Sequence, residues 1–205
     1  MAKLHDPRNK NFSFHSQSEK TLVSDYLNML RDAVLKIEKA SIEKFVDELE
    51  HSNKIGGHIF IAGNGGSSAI AEHMACDFLK GTYYEDKFKL RVTALTSNSS
   101  LCTAIGNDFG YENIFAFQLQ VMARKDDLVI LISSSGESQN VLNAINISKA
   151  LGLRTIGLTG FTGGSLKQLV DLSIHVEASH YGVVEDAHMH VCHFVTHILQ
   201  EKYGN

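Results

Sequence analysis

Downstream of Gly56, five short apolar runs alternate with amphipathic stretches, and this alternation constrains the fold more than any other feature of the chain. The runs are His58 to Ala62, Arg91 to Leu95, Leu128 to Ser133, Thr155 to Leu158 and Leu172 to Val176. Each is followed by a turn signal and, in most cases, by apolar residues at helical spacing, so each reads as a strand that feeds a helix. Repeated units of this kind pair their strands in parallel and cover both faces of the sheet. The expected architecture is α/β, a doubly wound three-layer sandwich with a five-stranded parallel sheet. One proline, Pro7, and the lack of repeats or low-complexity segments leave no linker to divide that core.

The segment ahead of the alternation is different. Residues 1 to about 16 lack periodic apolar positions and read as a flexible polar tail. From Ser18 to His51, Leu22, Tyr26, Leu30, Val34 and Ile37 recur at spacings of three or four, as do Ile42, Phe45, Val46 and Leu49. This predicts a helical arm over residues 17 to 52, either one long helix or two with a bend near Lys39 to Ser41. An apolar stripe on such an arm suits packing or oligomerisation.

Composition excludes several function classes. A net charge of −4 without long Lys/Arg runs argues against a nucleic-acid surface, which needs clustered cations. No apolar stretch reaches about 18 residues, and the opening MAKLHDPRNK is polar where a signal core would be apolar, so neither a membrane-spanning nor a secreted chain is expected. Three cysteines, Cys76, Cys102 and Cys192, are odd in number and far apart, which points to a reducing cytoplasm.

In a doubly wound sheet, ligands sit beyond the carboxyl ends of the strands, which directs attention to three loops. The first runs from Gly63 to Ser68 through Asn64, Gly65, Gly66 and Ser67. The second is Ser133-Ser134-Ser135-Gly136-Glu137-Ser138, and the third is Thr159 to Ser165. Glycine permits close backbone approach, hydroxyls donate, and the first two loops lead into helices whose N-terminal amides attract an anion. The implied ligand group is a phosphate. A dinucleotide is a poorer match, because Ser68 stands where Gly-x-Gly-x-x-Gly wants its third glycine, and there is no Gly-Lys-Ser/Thr.

Histidines and carboxylates supply the second half of a site. His73 and Asp77 are four apart in one helical pattern and share a face. The last helix, Val183 to about Tyr203, carries Glu185, His188, His190, His193 and His197. At about 100° per residue, Glu185 and His193 lie within about 80° of each other. If the two helices face each other, their two carboxylates and two histidines form either an acid/base pair or a hard-metal site.

Taken in order, "GNGGSS", "AIAEHMACDFLKG", "AIGNDFGYENIF", "LISSSGESQNVLNAI" and "EDAHMHVCHFVTHIL" make the chain resemble the sugar isomerase (SIS) domain family, and within it the phosphoheptose isomerases. The resemblance spans nearly the whole chain and implies a single SIS domain over residues 17 to 205, arm included. It also implies a homotetramer with active sites at subunit interfaces, and isomerisation of sedoheptulose 7-phosphate to a heptopyranose 7-phosphate for bacterial surface polysaccharide. By the same resemblance, Asn64, Gly65, Gly66 and Ser67 match the first phosphate and sugar loop. Ser133, Ser134, Ser135 and Ser138 match the phosphate cradle, and Asp108 matches a polar active-site position. His73, Asp77, Glu185 and His193 fall at the zinc-ligand and acid/base positions. Asp77 replaces the usual glutamate, Glu185 the usual glutamine, and Gly182 an aspartate. Aldose-ketose interconversion moves a proton between adjacent carbons, so it needs a base, an acid and a group that polarises the carbonyl. Asp77 or Glu185 can serve as base, His193 as its counterpart, and zinc as Lewis acid. Two other classes remain open at this level: a non-catalytic sugar-phosphate sensor or partner-binding protein, and an isomerase of a hexose or pentose phosphate.

Overall fold

The computed structural model describes residues 19–204; the expected tail, 1 to 16, lies outside them. The sheet contains β1 (His58–Gly63), β2 (Arg91–Ala94), β3 (Leu128–Ser133), β4 (Arg154–Thr159) and β5 (Leu172–His175). All neighbouring strands are parallel, in the order β2-β1-β3-β4-β5. Central β3 is buried along its whole length, β1 and β4 everywhere but their first residue, and the edge strands β2 and β5 only in part. That gradient explains why the central runs are continuously apolar: a parallel strand covered on both faces has no solvent side.

Alternate residues feed two cores. Ile59, Ile61, Leu128, Ile130, Ile132, Ile156 and Leu158 face one layer, which includes Phe45 and Leu49 of α2 (Lys39–Ile55), Met74 of α3 (Gly66–Cys76) and Val191 of α8 (Tyr181–Tyr203). Phe60, Ala62, Val129 and Leu131 face the other layer, with Ile105 of α4 (Ser99–Phe109), Leu119 of α5 (Ala116–Met122), Val141 of α6 (Gln139–Ala150) and Leu166 of α7 (Gly164–Leu169). The two-residue period of the strands thus sorts the chain into three layers.

The arm is two helices, α1 (Glu19–Leu35) and α2, and both pack against α8. The bend lies at 36–38, just before the expected Lys39 to Ser41. Glu38 is the extended residue at the start of α2, and its carbonyl accepts both the amide and the hydroxyl of Ser41, at 3.0 and 2.7 Å. Among the described residues, no helix is long and apolar enough to cross a membrane.

Chain direction fixes where a ligand can sit. After β1 the chain crosses to β2 on one side, and after β3 it crosses to β4 on the other. The crevice at such a switch point, between the carboxyl ends of β1 and β3, is the binding position of open α/β sheets. Gly63 pairs in register with Ile132, so the loops after β1 and β3 leave the sheet side by side.

Candidate active site

The loop after β1 turns into α3 at Gly66, and the loop after β3 turns into α6 at Gln139. Neither helix receives a side-chain cap at its N-terminus. By contrast, α4 and α8 are capped by Asn98 and His180. First-turn amides without an intrahelical partner are what an anion takes up. Around them, Ser133 Oγ and Ser138 Oγ lie 3.3 Å apart, the Gly136 amide donates to Ser133 Oγ at 3.2 Å, and the Glu137 amide donates to Ser135 Oγ at 3.2 Å. Ser67 and Ser134 are buried, and the Ser134 hydroxyl has no partner among the described residues.

The third loop buttresses the second. Gly136 adopts φ +69°, and a Cβ there would overlap the Gly163 carbonyl, so only glycine admits this crossing of two backbones. Its own carbonyl accepts from the Leu166 amide at 3.1 Å, and Gly160 N donates to Ser134 O at 2.9 Å. The Glu137 carboxylate accepts from the Ser165 amide at 2.6 Å and from its hydroxyl at 3.0 Å. Sequence reasoning assigned no role to Glu137, because this partner lies 28 residues away in another loop.

Two further residues escaped the sequence reading. Tyr111, from the "GNDFGYENIF" motif, donates through its hydroxyl to Asn64 Oδ1 at 2.9 Å, and Asn140 exchanges amide hydrogen bonds with Asn64. Together with Glu112, Ser138 and Gln139 they line a cavity of about 660 Å³ beside the second loop.

The acid/base candidates gather at the far end of α3. His73 Nε2 lies 3.1 Å from His193 Nε2 and 3.5 Å from Asp77 Oδ2. Ligand atoms of these three residues all fall within 4.8 Å of one another. Asp77 opens a π-helical turn, Asp77–Gly81, closed by the Thr82 amide on the Asp77 carbonyl at 3.1 Å. Such a turn widens the backbone locally and is common at functional positions. From α8, the Cys192 thiol sits 3.9 Å from Asp77 Oδ2. Burial above all, and then the Asp77 charge, push that thiol up to about 12, so Cys192 stands beside Asp77 as a protonated neighbour.

Within the chain, three of the four expected ligands converge and Glu185 does not. A Cβ on Gly66 would overlap the Glu185 carboxylate, which places that group against the start of α3. Since Glu185 meets Gly66, His193 meets His73 and Gln200 Nε2 donates to Gly81 O at 2.9 Å, α8 runs parallel to α3. Eight residues along α8 rise by about 12 Å, so Glu185 belongs to the phosphate-loop end and His193 to the other. Burial, and then neighbouring Asp186, raise the Glu185 carboxyl above the ordinary range. Asp108 lies exposed on α4, accepting from Asn107 Nδ2 at 2.8 Å. Gly182 has a physical reason: a Cβ there would come within 3.0 Å of the Tyr26 hydroxyl, which docks α1 by donating to Asp186 at 2.5 Å.

Comparison with known proteins identifies the family. Residues 24–160 match the family model of the SIS domain. The phosphoheptose isomerase of Aliarcobacter butzleri is 39% identical over 171 residues, covering 80% of this chain and 90% of that protein. The phosphoheptose isomerase of Syntrophotalea carbinolica is 35% identical over 183 residues, covering 88% and 93%. The solved structure of phosphoheptose isomerase from Neisseria gonorrhoeae superposes with a TM-score of 0.81 at 26% identity, over 89% of this chain and 96% of that one. Two hydroxyl-lined loops at the switch point and an imidazole–carboxylate group one helix away therefore stand in a known context, and the chain belongs to the SIS domain family, among the phosphoheptose isomerases.

Proposed function

We propose that the protein is a cytoplasmic, homotetrameric isomerase that converts sedoheptulose 7-phosphate to D-glycero-D-manno-heptopyranose 7-phosphate for bacterial surface polysaccharide. The observation that carries this reading is α3 itself, which presents a phosphate-type loop at Gly66 and the His73–Asp77 pair two turns later. Exposed Val23, Leu27 and Leu35 on the arm, with Phe109, Tyr111 and Val121 on the opposite layer, support burial of both faces in an assembly. In such an assembly, exposed Asp108 is a candidate to complete a neighbouring site.

Within the site, Ser133, Ser135 and Ser138 with the amides of the two helix starts bind and orient the phosphate. The substrate's first two carbons then lie toward His73, Asp77 and His193. Removal of a proton from carbon 1, with a proton delivered to the carbonyl oxygen on carbon 2, gives a cis-enediol; return of a proton to carbon 2, with loss of the hydroxyl proton on carbon 1, gives the aldose. His193 donates to or accepts from the substrate oxygen, Asp77 is placed to take the carbon-bound proton, and Glu185, with its raised carboxyl, is a second proton carrier nearer the phosphate end.

The donor set also fits zinc: two imidazole nitrogens and one carboxylate within 4.8 Å of one another, the three-ligand pattern of sites that keep a position open. His73, Asp77 and His193 would hold the ion, which would supply Lewis-acid polarisation of the sugar carbonyl, and Asp77 or His193 would carry a proton only while not bound to it.

The test is incubation in heavy water with sedoheptulose 7-phosphate and, separately, with hexose and pentose phosphates. Aldose product with deuterium at carbon 2 is expected from the seven-carbon sugar. Turnover restricted to the shorter sugars would remove the heptose assignment, and tight binding without exchange would make the protein a sensor.

A further inference from the structure

Asn64, Asn140 and Tyr111 form a closed hydrogen-bonded set on one wall of the cavity beside the second loop. Asn64 Nδ2 donates to Asn140 Oδ1 at 2.8 Å, and Asn140 Nδ2 donates back to Asn64 Oδ1 at 2.9 Å. The Tyr111 hydroxyl donates to the same Asn64 oxygen, also at 2.9 Å. A carboxamide oxygen has two lone pairs and its nitrogen two hydrogens. Both lone pairs of Asn64 are therefore taken, while one of its N–H groups is left.

The consequence is a fixed polarity. A free asparagine can present either end to a ligand, whereas this one is held from two sides and can only donate. Asn140, the inner partner, is 2% exposed and cannot turn away, while Tyr111, at 62%, reaches in from the rim. Ser138 lines the same cavity, and its hydroxyl does not cap α6, the helix it precedes. Glu112 and Gln139 bring acceptors to the same cavity, but the fixed Asn64 N–H, the Ser138 hydroxyl and the start of α6 all offer donors beside the second loop, a combination that suits a phosphate oxygen.

We propose that Tyr111 and Asn140 are positioning residues that hold Asn64 as a dedicated donor to a phosphate oxygen of the ligand. The proposal rests on the sugar-phosphate reading of the site. Without the Tyr111 hydroxyl, one lone pair of Asn64 is released, and rotation that presents the oxygen to the anion becomes less costly.

The probe is inorganic phosphate, followed by titration calorimetry on the full chain, so the readout does not require turnover. Tyr111→Phe should weaken phosphate binding about fivefold, the effect of roughly one neutral hydrogen bond. In an Asn64→Ala background the same substitution should change affinity by less than about twofold, since nothing remains to be positioned. Asn64→Ser replaces Asn64→Ala in the cycle if the latter does not melt cooperatively. An equal loss in both backgrounds, or no loss in the otherwise native protein, overturns the proposal. Failure of the isomerase reading shows separately, as absence of exchange by the native enzyme in heavy water while the phosphate cycle still holds.

Discussion

Replacing His188 by glutamine should remove an acid-sensitive element from beneath the site. His188 lies on α8, fully buried, and its Nε2–H donates to the Thr159 carbonyl at 3.2 Å, at the carboxyl end of β4. Its Nδ1 has no partner among the described residues. Burial, the largest cause, and nearby His175 bring the imidazole down from 6.5 to about 4, against the hydrogen bond to Thr159, which acts the other way. Above pH 6.5 the ring is neutral in folded and unfolded chains alike, and no stability is lost. As pH falls below 6.5, the unfolded chain takes up a proton that the folded chain refuses, so stability drops until about pH 4. At about 1.4 kcal/mol per pH unit, a gap of 6.5 − 4, or about 2.5 units, costs roughly 3 kcal/mol at the acid end. Glutamine retains an N–H donor but has no proton to gain, so His188→Gln should lose less stability on acidification. Urea unfolding followed by circular dichroism, at one protein concentration, should give curves for the two proteins that converge by about 2 kcal/mol between pH 7 and pH 5. Parallel curves across that interval would refute the argument from burial.

Three further outcomes follow from the site. His193→Gln should lower turnover at least about a hundredfold, the scale of one general acid/base group, with an unchanged dichroism spectrum; near-native turnover would remove His193 from the proton path. Gly136→Ala should destabilise by roughly 2–5 kcal/mol, from positive φ and from overlap of its Cβ with the Gly163 carbonyl, and should weaken phosphate binding as the two loops separate; a melting point within about a degree of native would contradict the close crossing. Elemental analysis of protein purified without chelator should find about one zinc per chain, and chelation should abolish isomerisation; full activity in a metal-free sample would leave a bare proton relay.

The strands were legible because a parallel sheet buried on both faces leaves no choice of residue. The run Leu128 to Ser133 lies within the fully covered central strand and has no polar position before its final serine. The two glycine and hydroxyl loops were legible for a related reason, since few other sequences can turn from a strand into an uncapped helix. The pair His73 and Asp77 was legible because i,i+4 residues are neighbours on any helix, and even the change to a π-helical turn at Asp77 leaves that spacing intact. Glu137, Asn140 and Tyr111 were not legible, because each acts through a partner 28 to 76 residues away that only the folded loops bring near. The helical wheel also misled in one respect. It placed Glu185 and His193 on one face, where they are, but a wheel has no axial coordinate.

That axial coordinate bears on the substrate. Seven residues separate Gly66 from His73, so the imidazole group stands about 10 Å along α3 from the loop proposed to receive the phosphate. From a phosphate on carbon 7 to a carbonyl at carbon 2 there are five carbon–carbon bonds and a phosphoester. With bonds of about 1.5 Å in an extended zigzag, that span is roughly 9 Å. A pentose 5-phosphate has two bonds fewer and falls roughly 2–3 Å short, enough to take its carbonyl out of hydrogen-bond reach of His193 once the phosphate is seated. The same parallel pair of helices puts Glu185 beside the phosphate end and His193 beside the carbonyl end, so two carboxylates and two imidazoles are distributed along the sugar rather than gathered at one carbon. On the proposed reading a single rigid helix is the ruler of the site: the hydroxyl loops would take any sugar phosphate, and the rise per residue of α3 would select the length of the chain that reaches the reacting groups.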